Sequence, residues 1–173
     1  MKSESEAGMR RIFLLLVLLM AGRVAAAETR YVSPDGAVTV LVTAQGGSDC
    51  EAQIEFRIVG QDSLKLDYRS ADHEHGECWG EAKWTPDGQF FVFSLEHAGG
   101  HQPWHTPIVF FSRRSGRVSS LEEFLPRSVA ITGHEFTATP PDAIEFETIV
   151  LPWDGHEPVL RKVSLGTLKE PAR

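Results

Sequence analysis

The chain carries none of the short motifs by which hydrolytic and phosphate-handling enzymes announce themselves. It has no Gly-x-Ser-x-Gly elbow to expose a serine, no His-Glu-x-x-His to hold zinc, and no Gly-x-x-x-x-Gly-Lys to cradle phosphate. Scattered Ser, His and Asp could form a triad only by meeting in space. Basic runs are missing too. Arg113-Arg114 with Arg117 is the densest cluster, in a chain of 17 Lys+Arg against 24 Asp+Glu. A phosphate backbone or an anionic membrane surface is held by clustered positive charge, so neither is an expected partner. No stretch sustains a helical period, which points away from helical architectures. Cysteine is scarce: Cys50 and Cys78 are the two present, without the Cys-x-x-Cys spacing of a metal site.

One unbroken apolar run stands out, Ile12 to Met20, preceded by Met9-Arg10-Arg11 and followed by Ala25-Ala26-Ala27. A basic start, a short apolar centre and a small-residue end are the parts of a secretory signal peptide. The run is far shorter than the roughly 20 residues of a membrane-spanning helix. Residues 1–27 are therefore expected to be a signal peptide and residues 28–173 a single exported domain, periplasmic or secreted, with no membrane insertion after cleavage. No Cys stands at the expected cleavage point, which argues against a lipid anchor. Residues 1–27 hold four of the basic and two of the acidic side chains, so the remainder has 13 against 22, a net charge of −9. That acidity favours solubility. In an oxidising compartment the two thiols are expected to form one disulfide, Cys50 to Cys78, which leaves no thiol nucleophile.

The most informative feature present is a repeat. Ser33-Pro34-Asp35-Gly36 returns as Thr85-Pro86-Asp87-Gly88, and each copy leads into an alternating segment, Val38, Val40, Val42 and then Phe90, Val92, Ser94. A Gly pair closes both, Gly46-Gly47 and Gly99-Gly100. Proline presets the turn, glycine supplies the positive φ, and the strand buries alternate side chains. A third, degenerate copy begins at Thr139-Pro140-Pro141-Asp142 and runs into Ile144, Phe146 and Thr148. Strands are expected at 37–44, 52–59, 63–68, 89–96, 107–112, 134–138, 143–151 and 159–165. A short helix is expected at 121–125, with Ser120 and Glu123 as a capping box and Pro126 as its stop.

Tyr31 to Val42 and Trp84 to Phe93, with their second strands Ile54 to Val59 and Ile108 to Phe111, resemble blades of a TolB-type β-propeller. Such blades open with an aromatic-Ser-Pro-Asp-Gly turn. Two clear units and one degenerate unit are fewer than the roughly 4–8 that close a propeller. The expected fold is therefore all-β: a small antiparallel β-sandwich, or a partial propeller-like repeat. The resemblance implies binding to other envelope proteins rather than catalysis.

Two segments and one set of residues could carry chemistry. The segment from Glu96 to Pro107 holds His97, His101, Trp104 and His105 between two strands, longer than a hairpin needs. Three readings apply: a structured connector with Trp104 folded onto the core, a contact for a protein partner or glycan, or a metal or catalytic site. The second segment, Asp72 to Glu77, places His73 and His75 on one side of an extended chain. Either it is a solvated turn, or its histidines share a divalent ion with His101 and His105. The aromatic set Trp79, Trp84, Phe90, Phe91, Phe93, Phe110, Phe111 and Trp153 is expected to be core, with the face of Phe91 and Phe93 buried. The leading expectation is a binding or accessory module without a cofactor, meeting an envelope or secreted protein. The alternatives are a small metal-dependent hydrolase using the His-rich loops and a carbohydrate binder centred on Trp104.

Overall fold

The computed structural model describes residues 27–44, 50–72, 75–97, 105–152, 155 and 157–168, apart from the side chains of Ala27, His97 and His134. The described chain is all-β, in three antiparallel sheets that follow one another along the sequence. The first runs β1 (Ala27–Val32), β2 (Val38–Ala44), β3 (Ala52–Ile58), β4 (Leu64–Asp67). The second runs β5 (Glu77–Trp84), β6 (Phe90–His97), β7 (Ile108–Ser112), β8 (Arg117–Ser120). The third runs β9 (Val129–Thr139), β10 (Ala143–Val150), β11 (Val159–Ser164).

Alternation decides what each strand buries. In the first sheet Val40 pairs with Phe56 and Val42 with Ile54 on the inner face, while Leu41 faces Glu55 and Thr43 faces Gln53 on the outer one. The inner face packs on Phe91, Phe93, Leu95, Val109 and Phe111 of the second sheet. The reverse of that sheet, Phe90, Val92, Ile108 and Phe110, packs on Ile131, Phe136, Ile144 and Phe146 of the third. The face of Phe91 and Phe93 is thus buried as expected, and the opposite face is buried as well. A sheet covered on both sides needs near-continuous apolar strands, which is what β6 and β7 are.

The repeat unit is reproduced bond for bond. Ser33 Oγ donates to Asp35 Oδ1 (2.7 Å) and accepts from Val38 N–H (2.9 Å), while Asp35 also accepts from Ala37 N–H (3.1 Å). In the second unit Thr85 Oγ1 donates to Asp87 Oδ1 (2.6 Å) and accepts from Phe90 N–H (3.1 Å), while Asp87 accepts from Gln89 N–H (3.0 Å). Gly36 and Gly88 take φ of 73° and 68°, as these turns require. The third copy lies in the corresponding place, between β9 and β10, but its aspartate has slipped one position. Asp142 turns away to Ser164 Oγ (2.9 Å) and Gly166 N–H (2.8 Å), and the buried Thr139 Oγ1 has no hydrogen-bond partner among the described residues.

The expected 121–125 helix is a 3-10 turn, Leu121–Phe124. Ser120 caps it by accepting from Glu122 N–H (3.4 Å), so the capping-box geometry to Glu123 is not the one adopted. The sheets share one polarity, because their turns touch. Arg113 donates to Asp35 Oδ2 (2.8 Å), and Asp87 N–H donates to Pro141 O (3.1 Å).

Those contacts predict a pH dependence. Hydrogen bonds from Arg113, then Ser33 and the Ala37 N–H, hold the Asp35 carboxyl well below the usual carboxylate range. Bonds from Arg69, then Gln53, do the same for Asp67. A depressed folded pKa contributes stability at neutral pH that is lost once pH falls below the ordinary value of 3.8. Thermal melts between pH 5 and pH 2 should show the melting temperature falling, and Asp35→Asn should flatten the fall. Identical slopes for the two chains would show that the Asp35 contacts do not form in solution.

Candidate functional site

Consecutive antiparallel strands send their connections alternately to two ends of the stack. One end, the turn end, carries the three repeat turns and the tight links 59–63 and 113–116. The other, the loop end, receives the remaining connections, of which 50–51, 68–72, 75–76, 105–107, 121–128, 151–152, 155 and 157–158 are described. Among the described residues, His75 and His105 lie on these connections, His97 ends β6 beside one of them, and His134 lies within β9. The candidate residues that the structure describes, His75, His97 and His105, therefore belong to one end. Alternation of ends follows from pairing and is invisible in residue spacing.

At that end the Cys50–Cys78 disulfide joins the first sheet to the second, with Cα atoms 4.7 Å apart. Beside it Glu51 is almost fully buried, at 1% exposure. Its carboxylate accepts from Ser70 N–H (2.7 Å) and Ser70 Oγ (2.7 Å), and from Gly76 N–H. A buried carboxylate is tolerable when donors surround it. The approach leaves no room at residue 76: a Cβ there would overlap the Glu51 carboxyl and the Tyr68 carbonyl. Glu51 thus shapes the 70–76 connection from beneath. Burial, with the Glu77 carboxylate nearby, pushes the neighbouring Tyr68 hydroxyl up to about 12. Sequence reasoning passed over Glu51. Its only signal was an acidic residue next to a cysteine at a strand edge.

On top of the connection His75 Nδ1 meets Asp72 Oδ2 at 2.6 Å, and both side chains are exposed. Across the end, His105 forms an isolated bridge to Thr132, and its Nε2 meets Glu122 Oε1 at 2.6 Å. That pair borders a cavity of about 250 Å³ formed by Leu125, Pro126, Arg127, Val129, Ala130 and Leu151. A carboxylate against an imidazole fixes the ring's orientation and tautomer, which serves recognition and proton transfer alike. His97 is placed at the end of β6 by its backbone alone. His73, His101, Trp104 and Trp153 lie outside the described residues. Of the four histidines considered for an ion, the structure places His75 and His105, on different connections and each against its own carboxylate. Among the described residues no three metal-ligating side chains gather.

No protein-family model matches the chain, and no curated protein does. Among solved structures, the chain is similar to a protein of Clostridium novyi NT described as a conserved lipoprotein, at 11% identity and a TM-score of 0.51. That match covers 83% of this chain and 90% of the other. It is also similar to part of a puromycin hydrolase at 14% identity and a TM-score of 0.45, covering 78% of this chain and 20% of that one. The first likeness is one of all-β fold.

Proposed function

We propose that the chain is an exported binding or accessory module without enzymatic activity, and that its loop end meets an envelope or secreted protein. The observation carrying this reading is that two His–carboxylate pairs, His75 with Asp72 and His105 with Glu122, sit on separate connections at one end of a disulfide-tied platform. Rigid scaffolds carry recognition on such loops. The signal-peptide pattern of residues 1–27 and the Cys50–Cys78 pair support export to the periplasm or beyond. The three repeated turn-and-strand units support reading them as TolB-type blades in an open stack. No resident cofactor belongs to this proposal.

Elemental analysis of protein purified without a His-tag separates it from a metal-dependent hydrolase. The expected result is less than about one-tenth of a transition-metal ion per chain, since imidazoles held singly by carboxylates lack the three or four ligands of a zinc site. One ion per chain, lost on His105→Ala, would overturn the proposal in favour of the hydrolase.

A further inference from the structure

Among the described residues the third sheet has three strands where the first and second have four. In the first sheet β3 pairs with β4, and in the second β7 pairs with β8. The equivalent strand of the third, β11, pairs with β10, and no described residue takes up its other edge. Val159 and Leu160 on β11 are 55% and 66% exposed.

A second observation coincides with the missing strand. In the first unit the fourth strand sends Leu64 and Leu66 into the core between sheets. In the third unit the corresponding rim is a groove of about 350 Å³. Phe90, Phe110 and Phe124 form its floor and one wall, and Leu165 and Leu168, which continue β11, form the other. Arg114 is the one ionisable side chain lining it, and no ion pair engages Arg114 among the described residues. Arg117 on β8 and Arg161 on β11 add positive charge to the flanking strands of an otherwise acidic chain.

We propose that β11 and this groove form a second docking surface, whose occupant is an extended, acidic-apolar strand of a partner protein. Its backbone would continue the β10–β11 ladder, as peptides do when they add to an open sheet edge. Two apolar residues at alternate positions would enter the groove, as Leu64 and Leu66 enter theirs, and a carboxylate at the next position on that same face, at the turn end of the strand, would meet Arg114. The surface lies along the rim and reaches the turn end, shares Phe124 alone with a loop-end connection and includes neither His75 nor His105, so the two proposals fail separately.

Acetyl-Glu-Ser-Val-Ser-Val-Ser-Lys(fluorescein)-amide and its counterpart with Lys in place of Glu, titrated into the exported chain, test this. The acidic peptide should bind at least about tenfold more tightly, and amide exchange at 159–164 should slow on its addition. Arg114→Glu, an exposed change that spares the core, should reverse the preference. Equal binding of both peptides, or no change in exchange at 159–164, would overturn the proposal. So would protection of β11 that rises with chain concentration, which marks a second copy as occupant. Full protection in the free chain would overturn it too, because the chain would then cover its own edge.

Discussion

Phe91→Ala should be the most damaging single substitution in the described chain, costing about 3–5 kcal/mol of unfolding free energy. Phe91 is fully buried at the centre of the first core. Its ring lies against Tyr31 at 5.3 Å, Trp84 at 5.2 Å, and Phe56 and Phe93 at 6.0 Å each, so these contacts come from four different strands. Truncation opens a cavity that four rigid aromatic neighbours cannot fill, and cavity volume sets the cost. Urea unfolding by tryptophan fluorescence measures it. Phe90→Ala, in the second core, should also cost several kcal/mol, because the middle sheet has no solvent face. A loss below about 1 kcal/mol at Phe91 would mean that the first two sheets do not pack as described.

Removal of the Cys50–Cys78 bond should have the second largest effect. Closing a loop with a sequence separation of 28 restricts the unfolded chain by roughly 3–4 kcal/mol on the chain-entropy account. The bond also holds the strand edge that positions Glu51, so its loss loosens the 70–76 connection. The oxidised, exported protein should show no thiol that iodoacetamide can alkylate under denaturing conditions. Reduction should lower its melting temperature by about 10 °C, at a few degrees per kcal/mol for a chain of this size. Two alkylatable cysteines in the oxidised preparation would contradict the assignment.

The sequence disclosed the architecture wherever a residue type has a unique local job. Ser33, Asp35 and Gly36 and their counterparts Thr85, Asp87 and Gly88 could be placed in turns because each fills a defined bond or dihedral. Strands β2, β3, β4, β6, β7, β10 and β11 were legible from alternating apolar, β-branched or aromatic residues. Strand β5 was not: Gly80 and Glu81 interrupt it with a bulge, and Glu81 N–H turns to Ser94 Oγ (2.9 Å) instead of the ladder. Strand β9 was seen only in its second half, because a register shift opposite Phe146 and Glu147 breaks its pattern at Gly133. β1 and β8 are short, mixed and polar, and only pairing makes them strands. Burial of both faces of β6 was hinted at by Phe90 and Val92 beside Phe91 and Phe93. Telling a middle layer from an outer one still needs the number of sheets.

The site was legible as composition and illegible as geometry. His75 and His105 were picked out as residues, yet their carboxylate partners, Asp72 and Glu122, follow from the path of the chain. Glu122 lies on the turn after β8, 17 residues from His105, and no local pattern joins the two. Glu51 reads as an ordinary acidic residue until the 68–76 connection is folded over it.

The central claim, recognition at the loop end, is tested most directly by site-specific photo-crosslinking in the native host. A benzophenone side chain is introduced at position 75 or 105 on the loop end, and at position 63 on the turn end as control. The account predicts a discrete covalent adduct with one envelope or secreted protein from positions 75 and 105 and none from position 63, with all three chains exported and melting as the parent does. Adducts from position 63 alone, or equal adducts from all three positions, would contradict it.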